Sequence, residues 1–184
     1  MPQHHDDESA DEVAARYGLE PLPFEGGRFR RTWAGPRDGT GRPAGSAILF
    51  LLSPDEDGFS APHRLPADEV WHFYRGDPAE LLLLAPDGSS HTVLLGDDAD
   101  RRVQWTVPAG TWMAARVAPG GRWSLCGTTM APGFLPADFE GGDPDALAAR
   151  YPAHAALIRA LSRPVGAAGT SVSDSTHSTH RERE

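Results

Sequence analysis

The sequence predicts an all-β protein, a barrel or sandwich of short strands. Two observations carry that prediction. Apolar or alternating runs of strand length recur through the middle of the chain, and Gly/Pro turns separate them. The longest apolar runs, Ala47 to Leu52 and Leu81 to Ala85, fit a strand and fall far short of the roughly 20 residues of a membrane helix.

Taken in order, Met1 to Glu8 reads as an acidic disordered tail in which His4 and His5 are solvated. Ser9 and Glu12 form a capping-box pattern, and Gly18 ends the short helix they open. Pro21 to Trp33 is a turn through Gly26-Gly27 followed by a strand. In that strand Phe29, Arg31 and Trp33 alternate with Arg28, Arg30 and Thr32. An arginine on the inner face would grip a carboxylate or phosphate through two parallel hydrogen bonds, and one on the outer face would be solvated. Alternation alone leaves both arrangements open.

Ala34 to Gly45 is a polar loop, and Ser46 to Leu52 is apolar on both faces, as in a central strand covered on each side. After the acidic turn Ser53 to Gly58 comes Phe59 to Pro78, which starts as a polar loop and continues as a strand. Glu80 to Ala85 and Ser89 to Leu95 form a hairpin about Pro86-Asp87-Gly88. Val103 to Val107, Thr111 to Val117 and Trp123 to Met130 complete the strand set. Asp143 and Pro144 cap a helix, Pro152 starts another with Leu157 and Leu161 on one face, and the tail from residue 163 reads as disordered. His177 and His180 in that tail do not make a metal site. The organisation expected is therefore one domain over 9–162 between two tails.

Composition narrows the function. The 184 residues suffice for one domain with a core. A net charge of -9 argues against nucleic acid or an anionic membrane as partner. All 17 basic side chains are arginine, which removes lysine Schiff-base chemistry. The single cysteine, Cys126, forms no intrachain disulfide and reads as buried and inert. With no signal-like stretch at the N-terminus, a cytoplasmic location is expected.

The segment FSAPHRLPADEVWHFYRGDP, Phe59 to Pro78, organises the rest. His63 and Glu69 stand six positions apart, and Trp71 and Phe73 follow Glu69 at alternate positions on its face. A histidine, a carboxylate and two aromatic rings on one face suit a small-molecule site. His72 and Tyr74 fall on the opposite face. The aromatic rings serve equally as core.

Several motifs together resemble the cupins. Gly58, His63, Glu69 and Gly76 match the first cupin motif, with Leu65 in place of its second histidine. Gly96, Pro108 and Gly110 match the second, with Met113 in place of its histidine. The closer similarity is to the cupin-5 (DUF985) family, through Glu25-Gly26-Gly27, His63-Arg64, Asp68 to Asp77, Pro108 to Trp112, Ala131 to Phe134 and Asp138-Phe139. Pro23-Phe24 departs from the family's His-Pro. The resemblance implies a double-stranded β-helix, the cupin jelly-roll barrel, with short N- and C-terminal helices and usually a homodimer.

Metal cupins use three histidines and a glutamate, of which this chain keeps His63 and Glu69. Leu65 offers no donor, and Met113 offers a thioether suited to soft ions. No metal and no cofactor are expected. The favoured reading is an isomerase- or epimerase-like enzyme acting on a small polar or anionic molecule. His63 is its base, Glu69 orients that base, and Arg30 or Arg64 binds an anionic group beside Trp71, Phe73 and Met113. A cupin that binds a small ligand without chemistry is the first alternative, and a metal-dependent cupin with an unusual ligand set the second.

Overall fold

The computed structural model describes residues 8–163. Eleven strands run in chain order as β1 (Glu20–Pro21), β2 (Arg28–Ala34), β3 (Ser46–Leu52), β4 (Ser60–Arg64), β5 (Glu69–Gly76), β6 (Ala79–Leu84), β7 (Ser90–Leu95), β8 (Gln104–Val107), β9 (Trp112–Val117), β10 (Ser124–Met130) and β11 (Glu140–Gly141). Helix α1 (Ala10–Tyr17) precedes them, and α2 (Pro144–Arg150) and α3 (Ala155–Ala160) follow. The strands form two antiparallel sheets, ordered β1-β2-β3-β10-β5-β8 and β11-β4-β9-β6-β7. Their inner faces enclose the core, as the jelly-roll expectation requires.

Alternation explains the runs that are apolar on both faces. In β6, Leu81 and Leu83 point into the barrel, while Leu82 and Leu84 lie under Leu147, Tyr151 and Ile158 of the C-terminal helices. In β3, Phe50 and Leu52 point inward and Leu51 packs beneath Val13 and Ala14 of α1. Each strand therefore buries two faces because a helix covers its sheet from outside.

The N-terminal helix has the full capping box: Glu12 N–H donates to Ser9 Oγ, and Glu12 accepts from Ser9 N–H at 2.8 Å. Residues 1–7 and 164–184, including the four tail histidines, lie outside the described residues. Glu8 and Arg163, the inner ends of the expected tails, are placed. Glu8 pairs with Arg16 at 2.7 Å and Arg75 at 2.6 Å, and its carbonyl accepts from Trp123 Nε1. Arg163 pairs with Asp57 at 3.1 Å.

Two local expectations change. Residues Ser60 to His63, read as polar loop, form the buried strand β4, paired with β9 and β11. Ser-Ala-Pro-His has no apolar alternation to announce a strand; its burial comes from the strands on either side. In β2 the pairing runs Arg31 to Ile48 and then Trp33 to Ala47, so Thr32 is an extra residue that bulges. The bulge turns Trp33 to the outer face, away from Phe29 and Arg31. The second C-terminal helix buries Ile158 and leaves Leu157 only partly covered, and Leu161, which follows its last residue, is buried as well.

Ile158 is fully buried between the helices and the five-stranded sheet. Ile158→Ala should lower unfolding free energy by about 2–5 kcal/mol, read from urea denaturation. A loss within error would show that the C-terminal helices do not share the barrel's cooperative unit.

Candidate functional site

A cavity of about 440 Å³ opens at one end of the barrel between the two sheets. His63 enters it from β4 and Glu69 from β5, so the two lie in different sheets rather than on one strand face. The residues between them carry the chain from one sheet to the other. That crossover is tied down by the Pro108-Ala109-Gly110 turn: Ala109 N–H donates to Asp68 Oδ1 and Gly110 N–H to the Leu65 carbonyl, both at 2.8 Å.

His63 is 2% exposed. Its Nδ1 lies 2.9 Å from the Ala61 carbonyl, which only accepts, so Nδ1 carries a hydrogen and donates it. The Ala61 carbonyl orients the imidazole; Glu69, expected from the sequence to orient it, interacts with it through charge, with no hydrogen bond between them. Phe139 stacks on the ring at a centroid distance of 5.2 Å. Glu69 accepts a 2.9 Å hydrogen bond from Trp71 Nε1, the contact that i, i+2 alternation on a strand makes available. Burial pushes the Glu69 carboxyl above its usual range; nearby His63 pulls it down, Glu25 pushes it further up, and hydrogen bonding to Thr128 and Trp71 favours the ionised form.

The remaining expected site residues fall elsewhere. Trp71 is 1% exposed and meets the Phe50 ring edge-on, forming core beneath the cavity. Phe73 packs against the same core, and Met113, paired with His63 across β4 and β9, is buried in it. Arg30 pairs with Leu49 on the outer face of the six-stranded sheet. Arg64 also points outward, held by Glu140 at 2.7 and 2.8 Å and lying over the Trp112 ring at 4.7 Å. Neither arginine reaches the cavity. Arg31 does, because its partner Ile48 faces inward. His72 and Tyr74 stack on each other on the opposite face from Glu69, as alternation required. Burial pushes the Cys126 thiol up to about 12, so it stays protonated.

Glu25 was missed by sequence reasoning. It lines the cavity and accepts a 2.6 Å hydrogen bond from Ser60 Oγ. The visible signal was the Gly-Gly pair behind it. Gly26 and Gly27 have φ of 100° and 66°, and a Cβ on Gly26 would stand 2.2 Å from the Phe59 carbonyl oxygen. Only glycine lets the turn pack that closely and bring Glu25 over the barrel mouth. Phe134 and Phe139 also line the cavity. Their segment is clamped by Arg42, which makes bonds of 2.6 and 2.8 Å to Asp138 and 3.0 Å to the Gly133 carbonyl. The guanidinium holds the Asp138 carboxyl below its usual range.

The barrel, this mouth and the motifs on it can now be set beside known proteins. A family profile described as "Cupin superfamily (DUF985)" matches residues 11–141. The chain belongs to the cupin-5 family. Among solved structures it resembles protein SO0799 from Shewanella oneidensis, with 36% identity, a TM-score of 0.77, and coverage of 85% of this chain and 99% of that one. A hypothetical protein from Leishmania major follows at 29% identity and a TM-score of 0.74, covering 84% and 99%. Oxalate decarboxylase from Bacillus subtilis shares the fold at 15% identity and a TM-score of 0.50, over 77% of this chain and 36% of that one. No curated protein matches the sequence. Among the described residues no helix is long and apolar enough to cross a membrane.

Metal-binding cupins raise the question of whether this cavity fits an ion. Leu65 lines it where a ligand would stand, and Met113 is buried in the core. Among the described residues no three His, Cys, Asp or Glu side chains converge to hold a metal. The donor set of this cupin does not fit a tightly bound zinc or iron.

Because the folded Glu69 carboxyl keeps its proton to higher pH than the unfolded one, the unfolded state ionises first. Its contribution to stability therefore falls as pH rises from the ordinary carboxylate range through the raised folded value. Glu69→Gln should show a shallower decline over that window in urea midpoints taken from pH 4 to 8. Parallel curves for the two proteins would place the Glu69 carboxyl in its ordinary range.

Proposed function

We propose that this cupin binds a small polar or anionic molecule in the barrel mouth and moves a proton on it without a metal, as an isomerase or epimerase does. The observation that carries this reading is the buried His63, with Nδ1 committed to the Ala61 carbonyl and Nε2 making no hydrogen bond among the described residues. A ring fixed in one tautomer presents a base whose orientation costs nothing at the moment of reaction. Nε2 takes a proton from a carbon beside a carbonyl group. Glu69, on the wall of the same cavity, donates a hydrogen bond in its protonated form to the oxygen on which charge develops. Arg31 at the mouth holds an anionic group of the molecule.

The test is proton exchange. Ligands found by thermal-shift screening of small polar metabolites should exchange a carbon-bound hydrogen for deuterium in D₂O in the presence of the wild-type protein. His63→Gln should abolish that exchange, at least 100-fold, while binding persists. Saturable binding with no exchange in the wild type would select the non-catalytic ligand-binding cupin instead.

The homodimer is a second part of the proposal. Trp33 and Tyr74 are 51% and 52% exposed, and the β2 bulge and the β5 alternation bring both to the outer face of the six-stranded sheet. Large rings left on a sheet face suit a second copy of the chain. Sedimentation velocity should give a dimer, and Trp33→Asp with Tyr74→Asp a folded monomer. A wild-type monomer at micromolar concentration would remove this part.

A further inference from the structure

The charges that face the cavity are unevenly placed. Glu25, half-buried over the mouth, takes a hydrogen bond from Ser60 but makes no ion pair among the described residues. Arg31, an exposed residue of the cavity lining on β2, likewise makes none among the described residues. A half-buried carboxylate pairs more strongly with a bound cation than a fully solvated one does. The apolar walls supplied by Phe24, Phe134 and Phe139 lower the local dielectric and strengthen any such pairing. Glu20, the other carboxylate of the rim, is exposed as Arg31 is, so of the two rim carboxylates Glu25 is the one shielded from solvent.

We propose that the ligand is a zwitterion, a small aminocarboxylate that places its ammonium group on Glu25 and its carboxylate on Arg31. This rests on the reading of the mouth as a small-molecule site and names the class of molecule it takes. With the ammonium on Glu25, the ligand's carbon chain meets the phenyl walls of the cavity that His63 also lines. The cavity of about 440 Å³ lies in the lower part of the range for ligand sites and admits an aminocarboxylate of a few carbons. The arrangement also separates two chemistries that a simple anion site would not distinguish: a carboxylate alone leaves Glu25 unpaired, and an amine alone leaves Arg31 unpaired.

Isothermal titration of the full-length protein with ω-amino acids from glycine to 6-aminohexanoate and with the L-α-amino acids tests this. Each binder is compared with the matched amine and the matched carboxylate. At least one aminocarboxylate should bind 10-fold or more tightly than both of its single-charge analogues. Glu25→Gln should erase the advantage over the carboxylate, and Arg31→Gln the advantage over the amine. Two results would overturn the inference: no saturable binding by any aminocarboxylate, or a carboxylate that binds as tightly as its aminated counterpart. Deuterium exchange is read separately. Zwitterion binding without exchange sinks only the acid–base reading, and exchange on a ligand lacking nitrogen, with no aminocarboxylate bound, sinks only this one.

Discussion

A carboxyl group buried in an apolar barrel is the constraint around which this structure is arranged. Glu69 is 7% exposed, and placing its charge there would be expensive without partners. The fold answers with an indole donor from the same strand, the Thr128 hydroxyl from the neighbouring strand and an imidazole from the facing sheet. Trp71, which makes the first of these, is also one of the largest fully buried side chains of the core. The polar site and the packing of the barrel floor are therefore the same contact seen from two sides.

That arrangement depends on a second one, the closure of the mouth. Two segments distant in sequence supply it. The Glu25-Gly26-Gly27 turn comes in from the N-terminal side, where the Ala61 amide donates to the Glu25 carbonyl. The segment after β10 comes in from the other side, clamped to Arg42 through Asp138 and to Arg64 through Glu140. Both ion pairs sit on the rim, where each is worth little alone. Their effect is positional: they hold Phe139 on His63 and keep water access to the imidazole limited. A ligand entering between Glu25 and Phe139 would meet an imidazole already held by the Ala61 carbonyl and the Phe139 ring.

The chemistry follows from what the cavity lacks as much as from what it holds. Where the metal-binding members of the fold place further histidines, this chain has Leu65 at the cavity wall and Met113 in the core. The apolar replacements leave His63 and Glu69 as the members of the metal cupins' ligand set that line this cavity. The shared fold with a decarboxylase at 15% identity speaks for the barrel alone, since one barrel hosts many reactions.

Much of this was legible from the sequence. Strand lengths, Gly/Pro turns, the capping box at Ser9 and the Asp143-Pro144 helix start are local signals, and local signals survive without a tertiary context. So did His63, Glu69 and the outward face of His72, because a period of two fixes sides once a strand is recognised. What sequence could not supply was which strands face each other and where alternation breaks. One extra residue at Thr32 sent Trp33 outward, the crossover after Arg64 put His63 and Glu69 in opposing sheets, and pairing with Leu49 rather than Ile48 left Arg30 outside while Arg31 reached the mouth. Glu25 entered the site only because two glycines let a remote turn fold over the barrel. The sequence by itself determined the fold class and two of the titratable side chains that line the cavity. The tertiary structure decided the company that pair keeps, because contacts between distant segments depend on register and closure, which no local pattern encodes.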